Sequence, residues 1–226
     1  MKSGDLKLSY LTVSNPAPNV YIGGLMVTDG RGLPVEFRYT EPIQPTKIQQ
    51  VLYGQVLSAY IKREVILETL LKNVESKFRC LLVEDEQMLD YPAKGYAIVR
   101  IAVTKSAPLG AVGKIQEMAP GEILVQLTPE GSPVRLYLGN PGKAKAASAS
   151  SVSASSTSSM SAGEESASSA IPSGHSGEIP SSEVISLLLE AGKSMDVSEP
   201  LRRIEKALEI ICQEEGIQAN SQTVAR

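Results

Sequence analysis

The chain has 226 residues, 42% of them hydrophobic and 21% charged, enough for one or two domains. Its formal net charge of -3 leaves no general excess of cations to neutralise phosphates, and only 4% of residues are aromatic. Nucleic-acid binding is therefore not expected. No apolar run approaches the roughly 18 residues of a membrane span, and Met1 to Val13 lacks the apolar stretch of a signal peptide. The expectation is a cytoplasmic protein without a membrane partner.

Leu6, Leu8 and Tyr10 alternate with polar residues and predict a first strand. Val20 to Thr28 predicts a second. Asp29-Gly30-Arg31-Gly32 supplies a turn, because Asp and Gly tolerate positive φ. The return strand, Leu33 to Thr40, sets Val35, Phe37 and Tyr39 against Glu36, Arg38 and Thr40. Pro42 and Pro45 end it. Thr46 and Gln49 then form a capping box. Ile48, Val51, Leu52, Val56, Ala59, Tyr60, Ile66, Leu67, Leu70 and Val74 follow at helical spacing. A helix of that length calls for a break near Gly54 or around Ile61 to Arg63. Further strands are predicted at Phe78 to Val83, Gly95 to Thr104, Glu122 to Leu127 and Val134 to Leu138.

These elements predict an α+β domain over residues 1–140. It has an antiparallel sheet of about six or seven strands, packed by one long or kinked helix. Residues 141–180 are rich in Ser and Ala and too poor in large apolar side chains to build a core, which predicts a disordered linker. Residues 181–215 predict a helical hairpin, and 216–226 a disordered tail. In the second helix Leu201, Ile204, Leu208 and Ile211 make a short apolar seam. Two helices of this size are too small to fold alone. They must dock on each other in a dimer, on the N-terminal domain or on a partner, and the seam is expected to serve a protein partner or self-association.

The single histidine, His175, lies in the linker, so triad and Cys-His chemistry lack an imidazole in the folded part. Cys80 and Cys212 are far apart in the chain and read as reduced thiols. No metal or cofactor is expected. Glu84-Asp85-Glu86, with Asp90 nearby, lacks the spacing of a calcium loop and reads as a solvated turn. Gly113-Lys114 is no phosphate loop, since Pro108 and Ile115 stand where Gly and Ser or Thr are needed. The densest polar group is Asp29, Arg31, Glu36, Arg38, Tyr39 and Glu41, with Lys62, Arg63 and Glu64 later. Ion pairing along one strand face accounts for Glu36 and Arg38. The alternative is a ligand or partner surface in which Arg31 and Arg38 clamp an anion.

Gly24-Leu25-Met26-Val27, Asp29 and Gly32-Leu33-Pro34-Val35 resemble the central hairpin of the roadblock/LC7 (longin-like) superfamily, over residues 21–74. The Arg38–Pro45 connection and the strands after Lys94 depart from that pattern. The resemblance implies a small dimerising scaffold, often associated with GTPases or cellular complexes. The expected function is a non-catalytic interaction or adaptor protein whose C-terminal helices are tethered by the linker. The alternative is a small-molecule sensor or enzyme using the charged face of the first hairpin.

Overall fold

The computed structural model describes residues 6–138 and 181–216. The linker at 141–180, with His175, and the tail after Gly216 lie outside the described residues.

The first strand, β1 (Lys7–Ser14), pairs antiparallel with β2 (Ile22–Asp29), and β2 pairs with β3 (Pro34–Tyr39). All eight residues of β2 are buried, because both faces of the sheet are covered there. The β2–β3 turn is built by Asp29. Its Oδ1 accepts the amides of Arg31 and Leu33, while Gly32 takes the positive φ of 81°.

Thr46 and Gln49 do form a reciprocal capping box, which opens α1 (Lys47–Tyr53). Gly54, at a φ of 52°, ends α1. A short 3-10 turn (Gly54–Val56) leads into α2 (Leu57–Tyr60), a π-helical stretch (Ile61–Leu67) and α3 (Glu68–Asn73). The helical span is thus broken at Gly54 and rewound over Ile61–Leu67. It is a crossover connection, and it delivers β4 (Cys80–Val83) parallel to β1, with Ser9 opposite Leu81. The next strand, β5 (Ala97–Val103), runs parallel to β4. Then β6 (Ile115–Ala119), β7 (Glu122–Val125) and β8 (Val134–Leu138) form a meander that adds antiparallel to β5 through β8. The strand order is β3-β2-β1-β4-β5-β8-β7-β6.

The expected mixed α+β class holds, with a mostly antiparallel sheet of eight strands. Two details differ from expectation. The additional strand, β6, is an edge strand whose five residues are all exposed, so it has no burial alternation to betray it. The pairs β1–β4 and β4–β5 are parallel, because helix and loop crossovers rather than hairpins join them.

Two apolar cores lie on opposite faces of the sheet. Leu11, Leu25, Val27, Leu81, Val83 and Ile98 meet Leu57, Ile61, Ile66, Leu67 and Leu70 of the crossover. On the other face Leu8, Tyr10, Leu82, Val99, Ile101, Ile123 and Leu136 meet α4 (Ser181–Gly192) and α5 (Glu199–Glu214). Leu201, Ile204 and Leu208 of α5 are buried in that second core, with Ile211 packed at its margin. The apolar seam of α5 is therefore occupied by the chain's own sheet.

Candidate functional site

The charged residues of the first hairpin separate in the structure. Asp29 Oδ2 accepts from Nε and Nη2 of Arg31 at 3.0 and 2.9 Å, completing the turn. Glu36 accepts from the amides of Glu75 and Ser76 after α3 and from Nε of Arg38 at 2.9 Å. Burial alone would raise the Glu36 carboxyl. The Glu75 and Ser76 amides and the Arg38 guanidinium outweigh that and bring it to about 2. Tyr39 stacks on Phe37, and Glu41 is exposed beyond the end of β3. These contacts tie β3 to its turn and to the segment after α3. They do not gather the six residues around one point.

The carboxyl end of β4 leads into Glu84-Asp85-Glu86. Asp85 pairs with Lys62 of the π-helical stretch at 2.6 Å and caps the turn at Glu86–Met88. Neither Arg63 nor Glu64 joins it in that ion pair. Desolvation, and Glu205 after it, raise the Glu84 carboxyl, against Arg202. Glu84 thus responds to α5, on the sheet face away from Lys62. Among the described residues, no three His, Cys, Asp or Glu side chains gather where they could hold one metal ion.

The open part of the sheet carries a different arrangement. The crossover helices cover β2, β1 and β4 but stop at Ile98 of β5. Beyond that edge, Arg100 and Ala102 of β5 stand opposite Tyr137 and Arg135 of β8 in register. The Arg100 guanidinium carbon lies 4.4 Å from the centroid of the Tyr137 ring. Arg100 Nε donates to the Glu84 carbonyl at 2.9 Å, which fixes the side chain along the ring. Arg135 lies 3.3 Å from Glu122 of β7. Tyr137 first, then Glu122, favour its charged form. Its Nε is shielded from solvent and has no partner among the described residues. Thr104, Lys105 and Ser106 continue this surface into a groove of about 370 Å³ that also holds Arg135 and Tyr137.

The loops around the end of β7 are tied together by Gln126, which is fully buried. Its Nε2 donates to the carbonyls of Thr128 and Gly131, and its Oε1 accepts the Leu109 amide. None of Arg100, Lys105, Gln126, Arg135 or Tyr137 stood out in the sequence. One signal was present: β5 and β8 are apolar strands interrupted at alternate positions by Arg100 and by Arg135 and Tyr137. That period marks one wet face.

No protein-family model matches the chain, and no curated protein matches it. Solved structures do. Human ENDOV aligns over 93% of this chain and 85% of its own, with 11% identity and a TM-score of 0.51. Endonuclease V from Streptomyces avermitilis aligns over 61% of this chain and 67% of its own, at 10% identity and a TM-score of 0.37. A Ciona intestinalis Endonuclease V in complex with inosine-containing DNA aligns over 60% and 71%, at 10% identity and a TM-score of 0.36.

The likeness to human ENDOV overturns the expectation of a non-catalytic, protein-binding adaptor and the exclusion of nucleic acid. The physical reasons are local. The α5 seam expected to hold a partner is buried on the sheet, and the first hairpin's charges are paired within the chain. The net charge of -3 is a sum over all residues and says nothing of one face carrying Arg100, Lys105 and Arg135. At this level of identity the likeness is one of fold: the described chain has the fold of human ENDOV.

Proposed function

We propose that the chain binds a nucleic-acid strand on the open face of β5 and β8. The observation that carries this reading is the Arg100–Tyr137 stack, with Tyr137 lining one groove together with Arg135 and Lys105. Aromatic faces accept bases of any sequence, and guanidinium groups supply phosphate contacts and stack on bases in turn. Ser106 adds a hydroxyl able to bond phosphate or sugar oxygens, while the Thr104 hydroxyl donates to the Pro133 carbonyl. The fold shared with human ENDOV points the same way.

Divalent-metal hydrolysis of a phosphodiester needs several carboxylates converging on the reacting phosphate. The eight residues of β1 include neither Asp nor Glu. Among the described residues no acidic group of the required kind forms, so the donor set does not fit a metal pair.

The test is fluorescence anisotropy with a labelled single-stranded oligonucleotide at low salt, comparing the full chain with Tyr137→Ala and Arg135→Ala. Loss of base stacking costs ~1–3 kcal/mol, so Tyr137→Ala weakens binding by about five- to 150-fold. Arg135→Ala removes one phosphate contact and flattens the salt dependence by ~0.7 in the log–log slope for a single strand. Absence of binding by the unmodified chain, or binding indifferent to both substitutions, would overturn the proposal.

A further inference from the structure

The crossover helices carry apolar side chains on two sides. Leu57, Ile61, Ile66, Leu67 and Leu70 point into the core. Ile48, Val51, Leu52 and Val56 point away from it, at 71, 82, 75 and 63% exposure. None of the residues of α1 is buried. Gly54, at positive φ, and the 3-10 turn after it separate α1 from the part of the crossover that packs on the sheet. Tyr53 and Tyr60 flank the surface, their rings 4.8 Å apart.

These six side chains together expose on the order of 700 Å² of mostly apolar surface. The largest patch on a typical monomer is ~300–600 Å². A standard interface buries ~800 Å² per partner.

We propose that this face is where two copies of the chain meet about a two-fold axis. The area matches what one partner of a stable dimer contributes. Charge supports a second copy over other occupants. A two-fold contact brings each residue near the same residues of its mate, so like charges there would repel. Lys47 is the only charged residue between positions 47 and 60. The polar residues among the rest, Gln49, Gln50, Gln55 and Ser58, both donate and accept hydrogen bonds, so they can pair with themselves. The same near-neutrality leaves this face without the cations that a phosphate backbone demands. The interface stands independently of the strand-binding reading, since it lies on α1 and α2 and not on β5 and β8.

Sedimentation equilibrium of the full chain across micromolar concentrations tests it. The expected mass is near twice 24.1 kDa. The double substitution Val51→Glu with Leu52→Glu sets four like charges beside the axis, and is expected to return the mass to that of one chain with an unchanged far-ultraviolet circular dichroism spectrum. Ile210→Glu, at an exposed apolar residue of α5, is the control and should leave the dimer intact. Hydrogen exchange of the α1 amides in the unmodified chain should slow as concentration rises, which gives an answer without any variant. A single-chain mass at every concentration would overturn the proposal. So would a dimer that survives the double substitution, or α1 exchange that ignores concentration.

Discussion

Gly23 offers the sharpest test of how the crossover packs on the sheet. It sits in β2 opposite Val13, and its amide donates to Thr40 Oγ1 at 3.0 Å. A Cβ added there would fall well inside van der Waals contact with Cγ2 of Ile66, with Leu70 Cδ1 at 3.4 Å. Ile66 is fully buried on the π-helical stretch and has no room to retreat. Overpacking of this kind costs ~1–3 kcal/mol. Restricting the unfolded chain by Gly→Ala returns only ~0.4–1 kcal/mol. Gly23→Ala is therefore expected to destabilise by about 1–2 kcal/mol, lowering the melting temperature by ~2–8 °C for a chain of this size.

Urea unfolding reads this as a lower midpoint with unchanged slope. A double-mutant cycle makes the test specific. Ile66→Ala alone leaves a cavity worth ~2–5 kcal/mol. Combined with Gly23→Ala, the added methyl moves into that cavity. The pair should then cost clearly less than the sum of the two single changes. A Gly23→Ala protein as stable as the original, or strictly additive costs, would show that Ile66 does not stand over Gly23.

Other expectations follow from the same contacts. Asp29→Ala removes the acceptor of two turn amides and the partner of Arg31, and should cost about 1–2 kcal/mol in urea unfolding. Glu36, held near 2 in the folded chain against 4.5 without its partners, contributes stability that is present above about 4.5 and lost as pH falls towards 2. Glu36→Gln should remove that part of the acid dependence and lower stability at neutral pH, as read by thermal melts across pH. Cys80 is fully buried and its thiol is pushed up to about 12 by burial, so it should resist alkylation at mildly alkaline pH until the chain unfolds.

Local chemistry made much of this fold readable. The Asp29–Gly32 turn, the Thr46–Gln49 capping box and the break at Gly54 depend on residues within a few positions of one another. What covers an apolar face depends on distant chain, and there sequence reasoning stopped. The stripe on α1 and the seam on α5 look alike as patterns. Yet Val51 and Leu52 are exposed, while Ile204 and Leu208 are buried on β1 and β2. Gly23 and Gly24 gave no sign in the sequence that helices press on them from both sides. A Cβ on Gly24 would meet Ile204 Cγ2 at 2.8 Å. The strand-binding face was hidden for the same reason. Arg100 and Tyr137 are 37 positions apart, and only the β5–β8 register stacks one on the other.

Ultraviolet crosslinking would locate the nucleic-acid strand along β5 and β8. The full chain would be irradiated with a photoreactive single-stranded oligonucleotide, digested, and its adducts located by mass spectrometry. Adducts are expected in the peptides that hold Ala97–Ser106 and Val134–Leu138, with Tyr137 foremost. Adducts confined to the first hairpin or to α1, with β5 and β8 unmodified, would contradict it.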